Sequence, residues 1–111
     1  MENKKYEIIW SPKAYRNIQK IYDFTLEKLG NERYAIKIVK KILKAINSLR
    51  LFPFMYPKIY IDRKFKRQLR RATVGKYAVI YEVKNNKILI LYIFHENQNY
   101  SNLLLNQENL N

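Results

Sequence analysis

The chain has 111 residues, and 22 Lys and Arg against 9 Asp and Glu give it a formal net charge of +13. This length fits one domain, and 48 % hydrophobic residues are enough for a packed core, which excludes a disordered polycation. Because the sequence has no Cys and a single His, it excludes a disulfide scaffold and a thiol nucleophile, and we expect no metal and no cofactor. It has no apolar stretch of about 18 residues, so we expect a cytoplasmic protein without membrane contact.

The chain begins with the pattern of a short strand followed by a helix. Tyr6–Trp10 is β-prone. Ser11 and Pro12 then predict a helix start, because a Ser hydroxyl can accept a bond from an orphan N–H and Pro fits the first helical position. Apolar residues recur at steps of three and four as far as Leu29, and Gly30 suits the end of a helix.

A second amphipathic helix is predicted after a Gly-Asn turn. Asn31 can cap it, its apolar stripe runs to Leu49, and Pro53 stops the pattern. Phe54–Asp62 is predicted to be an irregular loop. Its large side chains are predicted to seal one edge of the core: Phe54, Met55, Tyr56 and Tyr60.

The remainder of the chain has strand patterns. These cover Gln68–Val74, Tyr77–Val83 and Lys87–His95. Gly75-Lys76 indicates a turn, and Asn85-Asn86 indicates a hairpin because Asn tolerates positive φ.

The predicted order β-αα-βββ indicates a single α+β domain over residues 1–111. An antiparallel helical hairpin packs on one face of a small, mostly antiparallel sheet. The position of the first strand in the sheet is left open. The other face is expected to be covered only by the polar tail 97–111, which we expect to be partly flexible, so it is the natural place for a site.

The positive charge predicts an anionic partner, either nucleic acid or an acidic protein. A membrane surface is disfavoured, since both helices need their apolar faces for the core. Arg side chains bind phosphate oxygens, and Tyr rings stack on bases. The candidate nucleic-acid-binding residues are Lys64, Lys66, Arg67, Lys76, Tyr77 and Tyr81.

The same region could support metal-free RNA cleavage. That reaction needs an acid or base, for which His95 is the candidate, and a cation for the charged phosphorane, for which Arg70 and Arg71 are the candidates. Tyr100 would stack on a base beside the cut. Because Arg70 and Arg71 are adjacent on a strand, they point to opposite faces, and the sequence leaves open which one meets the site.

The element order and several sequence strings resemble the RelE/ParE superfamily of type II toxins, from Tyr6 to about Leu105. The main string is RRATVGKYAVIY at Arg70–Tyr81, and it is preceded by IWSPKA at Ile9–Ala14 and LRLFP at Leu49–Pro53. An apolar strand ending in His95 and the string Asn99-Tyr100-Ser101 follow.

The resemblance implies a toxin held silent by a small antitoxin, which we expect to be acidic, with operator DNA bound only through that antitoxin. RelE-like members are ribosome-dependent endoribonucleases that cut mRNA, whereas ParE-like members inhibit DNA gyrase. The net charge of +13 and the presence of His95 and Tyr100 favour the mRNA endonuclease over gyrase inhibition. A degenerate toxin that binds only its antitoxin is a third alternative.

Overall fold

A computed structural model describes residues 5–62 and 67–97, with the backbone alone described at 60–62. Within these ranges the chain folds as the α+β domain that the sequence predicts. Its elements follow in the order β1 (Glu7–Trp10), α1 (Pro12–Leu29), α2 (Glu32–Ser48), β2 (Lys58–Asp62), β3 (Arg67–Val74), β4 (Tyr77–Lys84) and β5 (Lys87–His95).

Side-chain caps set the helix boundaries as predicted. The Ser11 side chain accepts the N–H of Ala14 at 2.9 Å, which satisfies one of the orphan donors at the start of α1. Gly30 adopts a left-handed φ of 60° after the last turn of α1. The Asn31 side chain then accepts the N–H of Tyr34 at 3.1 Å and caps α2.

The strands form one sheet in the order β1-β5-β4-β3-β2. The pairings of β2 with β3, β3 with β4 and β4 with β5 are antiparallel, which confirms the mostly antiparallel sheet. β1 pairs in parallel with β5, so the first strand lies at an edge beside the last one. This pairing joins the first and the last strand of the described chain. Local sequence patterns could not predict it, because the two strands are far apart in sequence.

The helical hairpin covers one face of the sheet, here called the helix face, and buries the main core. The core residues are Ala14, Ile18, Ile42, Ile46 and Leu49 from the helical half, with Ala72, Val74, Val79, Tyr81, Ile88, Ile90 and Ile93 from the sheet. The opposite face, here called the second face, has a smaller cluster of buried side chains, namely Leu69, Ala78, Ile80, Tyr92 and Phe94.

A β-bulge in β5 changes which residues face the helices. Tyr81 pairs with Ile90 while Ile80 pairs with Tyr92, so Leu91 is the extra residue. Ile90 therefore packs on the helix face, and Tyr92 on the second face.

Helix α1 is bonded to the bulged part of β5. The Ser11 hydroxyl donates to the Leu91 carbonyl at 2.9 Å, and the Asn17 side-chain oxygen accepts the N–H of Ile93 at 3.0 Å. These two bonds fix α1 over the last third of β5.

The segment after α2 differs from its prediction in two ways. It is not irregular throughout, because Lys58–Asp62 forms β2 and pairs with β3. Phe54 and Met55 do not seal the core, since 57 % and 55 % of their surfaces are exposed. Tyr56 does pack, partly buried, against the main core. The side chain of Tyr60 lies outside the described residues.

Candidate functional site

Arg71 is the arginine of β3 that lies on the second face. Its neighbour in the alternation, Leu69, belongs to the cluster on that face. The Arg71 guanidinium carbon lies 5.6 Å from the centroid of the Phe94 ring, a cation–π distance. Arg71 is therefore the arginine on the face away from the helices, where the sequence predicts a site.

Arg70 lies on the helix face and holds the loop that follows α2. Its Nη1 donates to the carbonyl oxygen of Tyr56 at 2.6 Å and to that of Phe54 at 3.3 Å. Its guanidinium also lies 5.0 Å from the centroid of the Phe54 ring. Because its guanidinium is hydrogen-bonded to two backbone carbonyls, Arg70 has a structural role.

Tyr81 is buried in the main core, so the prediction that it binds nucleic acid is wrong. None of its surface is exposed, and its hydroxyl donates to the carbonyl oxygen of Pro53 at 2.8 Å. Burial raises the pKa of Tyr81 to about 12, because a phenolate would lose its hydration there. The alternation along β4 did place Tyr77 and Tyr81 on one face, but that face is the one the helices cover.

His95 and Tyr77 form a pair at the end of the sheet nearest to α1. They are directly opposed in the β4–β5 register, and their rings meet edge to face with centroids 5.3 Å apart. The Nδ1 atom of His95 accepts the N–H of Asn97 at 3.2 Å. Both rings line a cavity of about 560 Å³ together with Lys20 and Phe24 of α1. His95 therefore lies on the helix side of the sheet.

The predicted catalytic residues consequently do not converge within the described part of the chain. Arg71 lies over Phe94 on the second face, whereas His95 lies with Tyr77 on the helix side. The remaining candidates Tyr100, Lys64 and Lys66 lie outside the described residues.

Arg67 and Lys76 are exposed, but they lie in different surroundings. Arg67 forms a salt bridge of 3.2 Å with Glu82 on the second face. Lys76 lies in the turn between β3 and β4 and joins Tyr77 and His95 on the wall of a second cavity. Of the predicted nucleic-acid-binding residues, the structure thus brings together Lys76 and Tyr77.

That second cavity, here called the hairpin groove, lies between the helical hairpin and the β3–β4 turn and has a volume of about 540 Å³. Its apolar wall is formed by Phe24, Leu29, Tyr34 and Ile38. Three lysines also line it, Lys28, Lys41 and Lys76, and the Lys28 ammonium lies 5.4 Å from the centroid of the Phe24 ring. A groove of this kind suits an apolar segment that carries carboxylates.

A cationic contact on the second face was missed from the sequence. The Lys13 ammonium lies 5.4 Å from the centroid of the Tyr92 ring. Tyr92 is one of several apolar residues in β5, so the sequence gave no reason to single it out. Lys13 is far from Tyr92 in sequence, so no helical or strand periodicity could predict their contact. Lys13 and Arg71 therefore both lie over aromatic rings of β5.

Within residues 5–62 and 67–97, no group of three or more His, Asp or Glu side chains is arranged to hold a metal ion. In the same ranges, neither helix is long and apolar enough to cross a membrane.

The sequence model described as the ParE toxin of type II toxin–antitoxin system, parDE, matches residues 8–100. No curated protein sequence gives a significant match.

Two solved structures have a similar fold. A chain of the chromosomal ParDE toxin–antitoxin system from P. aeruginosa aligns with a TM-score of 0.69 and 21 % identity, covering 83 % of this chain and 97 % of that one. A chain of the toxin–antitoxin complex RelBE2 from Mycobacterium tuberculosis aligns with a TM-score of 0.55 and 17 % identity, covering 82 % of this chain and 98 % of that one. At these identities the likeness concerns the fold.

Proposed function

Because this chain belongs to the ParE toxin family of type II toxin–antitoxin systems, we propose that it arrests growth by binding DNA gyrase rather than by cutting mRNA. The observation that supports this choice is the separation of Arg71 and His95 on opposite sides of the sheet. Gyrase is proposed as the target because of the family. Inhibition without RNA cleavage is proposed because of the placement of Arg71 and His95.

Metal-free RNA cleavage requires its groups to meet at one phosphate. The acid or base must lie within hydrogen-bond reach of the reacting oxygen, and the cation must contact the charge that develops on the same phosphorane. His95 lies with Tyr77 on the helix side and Arg71 lies over Phe94 on the second face, an arrangement that disfavours one phosphate meeting both side chains. Arg70 shares the helix side with His95, but its Nη1 is bonded to two loop carbonyls.

We further propose that the hairpin groove is where a cognate acidic antitoxin binds. Its apolar wall and its three lysines suit an amphipathic segment with carboxylates along its edges. The net charge of +13 would accelerate association with such a partner at low salt. Operator DNA would then be reached through the antitoxin in the complex.

The test compares two activities of the purified toxin. Supercoiling by gyrase and translation in a cell-free extract are each titrated with the parent protein and with His95→Gln, a change that keeps the ring's approximate size while removing its proton chemistry. We expect supercoiling to fail at lower toxin concentration than translation, and His95→Gln to inhibit gyrase as the parent does.

Primer extension on mRNA from cells expressing the toxin tests the alternative, mRNA cleavage. Discrete cuts with the parent that disappear with His95→Gln would overturn the proposal and favour the mRNA endonuclease. A parent that affects neither activity, while still binding its antitoxin, would indicate a degenerate toxin.

A further inference from the structure

The loop after α2, residues 51–57 and here called the apolar loop, presents large apolar side chains to solvent. The exposed fractions are 52 % for Leu51, 60 % for Phe52, 57 % for Phe54 and 55 % for Met55. Scattered single apolar residues are normal on a surface, but four within five positions form a patch of the kind that marks an interaction site.

The backbone of the apolar loop is held by hydrogen bonds from residues of β3 and β4. Pro53 is buried, and its carbonyl oxygen accepts a hydrogen bond from the Tyr81 hydroxyl at 2.8 Å. The Arg70 guanidinium binds the carbonyls of Phe54 and Tyr56 from the helix face. At the far end of the loop, the N–H of Arg71 donates to the carbonyl of Pro57 at 3.1 Å. These anchors order the backbone before any partner arrives, which lowers the entropic cost of binding.

Cationic side chains border the apolar loop. Arg50 precedes it and Lys58 follows it, and both are exposed. Arg70 lies against the Phe54 ring and is opposite Lys58 in the β2–β3 register. An apolar patch with this rim is complementary to an apolar pocket surrounded by carboxylates.

We propose that the apolar loop is the surface by which this toxin binds its protein target, with Phe52 and Phe54 entering an apolar pocket of an acidic, folded protein. This inference depends on the proposed function, because it assumes a protein target. Rigid aromatic side chains that enter a preformed pocket are typical of binding hot spots.

The position of the apolar loop distinguishes it from the proposed antitoxin site. The hairpin groove is lined by α2 only as far as Ile42, and the apolar loop follows the end of that helix, so roughly two helical turns, about 9 Å, lie between them. The groove is concave and suits a segment that folds as it binds, whereas the apolar loop projects and suits a folded partner that already has a pocket.

The experiment compares two double variants of the full chain. Phe52→Ala/Phe54→Ala removes the proposed anchors, and Phe24→Ala/Leu29→Ala removes equally exposed residues from the hairpin groove as a matched control. Growth arrest after induction, affinity for purified gyrase, affinity for the antitoxin and the melting temperature are measured for each. We expect Phe52→Ala/Phe54→Ala to weaken gyrase binding at least about 30-fold and to abolish growth arrest, with antitoxin binding unchanged.

A second variant protects the test against loss of folding. Phe54 packs edge to face on Tyr6 at 6.3 Å, so its removal can also loosen the loop. Arg50→Glu leaves these contacts in place and reverses the charge of the rim. We expect it to weaken target binding, with a larger loss at low salt than at high salt.

The outcomes separate this inference from the proposed function. If the parent does not bind gyrase but Phe52→Ala/Phe54→Ala alone abolishes growth arrest, the surface is supported and gyrase is excluded as its target. If the loop variants arrest growth like the parent, or if they lose antitoxin binding instead, the inference is overturned and gyrase inhibition stands on its own test. A parent that causes no arrest overturns both.

Discussion

Arg70 and Arg71 are adjacent and chemically identical, yet the structure gives them different surroundings. On the helix face, Arg70 binds two backbone carbonyls of the apolar loop. On the second face, Arg71 lies over the Phe94 ring. The comparison teaches that, in a strand, the face to which a basic side chain points decides which groups it contacts: backbone carbonyls of a loop for Arg70, an aromatic ring for Arg71.

The largest effect is expected on the helix face, at Tyr81. Tyr81→Ala removes a fully buried ring from the main core, and we expect it to lower the free energy of unfolding by about 3–5 kcal/mol. Tyr81→Phe keeps the ring but leaves the Pro53 carbonyl without its donor, at about 1–3 kcal/mol. Urea denaturation measures both, with the exposed Tyr15→Ala as a control that should change stability by less than about 0.5 kcal/mol. Equal losses at Tyr81 and Tyr15 would contradict the burial of Tyr81.

The direct comparison of the two arginines is expected to show the next largest effect. Arg70→Ala removes charge-assisted bonds to two carbonyls and should cost about 1.5–3 kcal/mol in unfolding free energy. In Arg71→Ala the lost cation–π contact with Phe94 accounts for on the order of 0.5–1 kcal/mol, less than the bonds of Arg70. Chemical denaturation of both variants in one buffer measures the difference. A larger loss for Arg71→Ala would show that the second face depends on its arginine more than the helix face does.

Alkaline pH should weaken the helix face through Tyr81. Burial raises the pKa of its hydroxyl from 10.0 to about 12, and Arg70 opposes this rise without cancelling it. Below pH 10 the tyrosine is neutral in the folded and unfolded chains, so its contribution is fully present. Between pH 10 and 12 the unfolded chain releases the proton first, so stability falls as the pH rises. Urea midpoints across this range should fall more steeply for the parent than for Tyr81→Phe, and parallel curves would contradict the prediction.

The smallest effect is expected on the second face, at the exposed salt bridge. Arg67→Gln breaks the 3.2 Å contact with Glu82, and we expect a loss of less than about 1 kcal/mol because surface ion pairs are weakly stabilising. The difference between parent and variant in thermal denaturation should shrink further in 1 M salt. A loss as large as that for Arg70→Ala would show that the second face also depends on a basic side chain.

The helices and turns of this protein were accessible from the sequence because their signals are local. The caps Ser11 and Asn31 and the left-handed Gly30 each bond or bend within a few residues of their own position. Asn85, in the predicted hairpin turn, has the positive φ of 57° that its type tolerates. Strand β2 escaped prediction because Pro57 and an aromatic run obscured its pattern, and its partner β3 supplies the hydrogen bonds that define it.

What the sequence alone determined is every described element except β2, and the toxin superfamily that their order resembles. The tertiary structure alone decided which side chains meet. β5 is apolar at almost every position, so its alternation does not show which residues face the helices. The bulge at Leu91 then shifts the alternation by one residue, putting Phe94 on the second face and His95 on the helix side. A bulge is set by the register with a neighbouring strand rather than by local propensity, which is why the separation of His95 from Arg71 became visible only in the folded sheet.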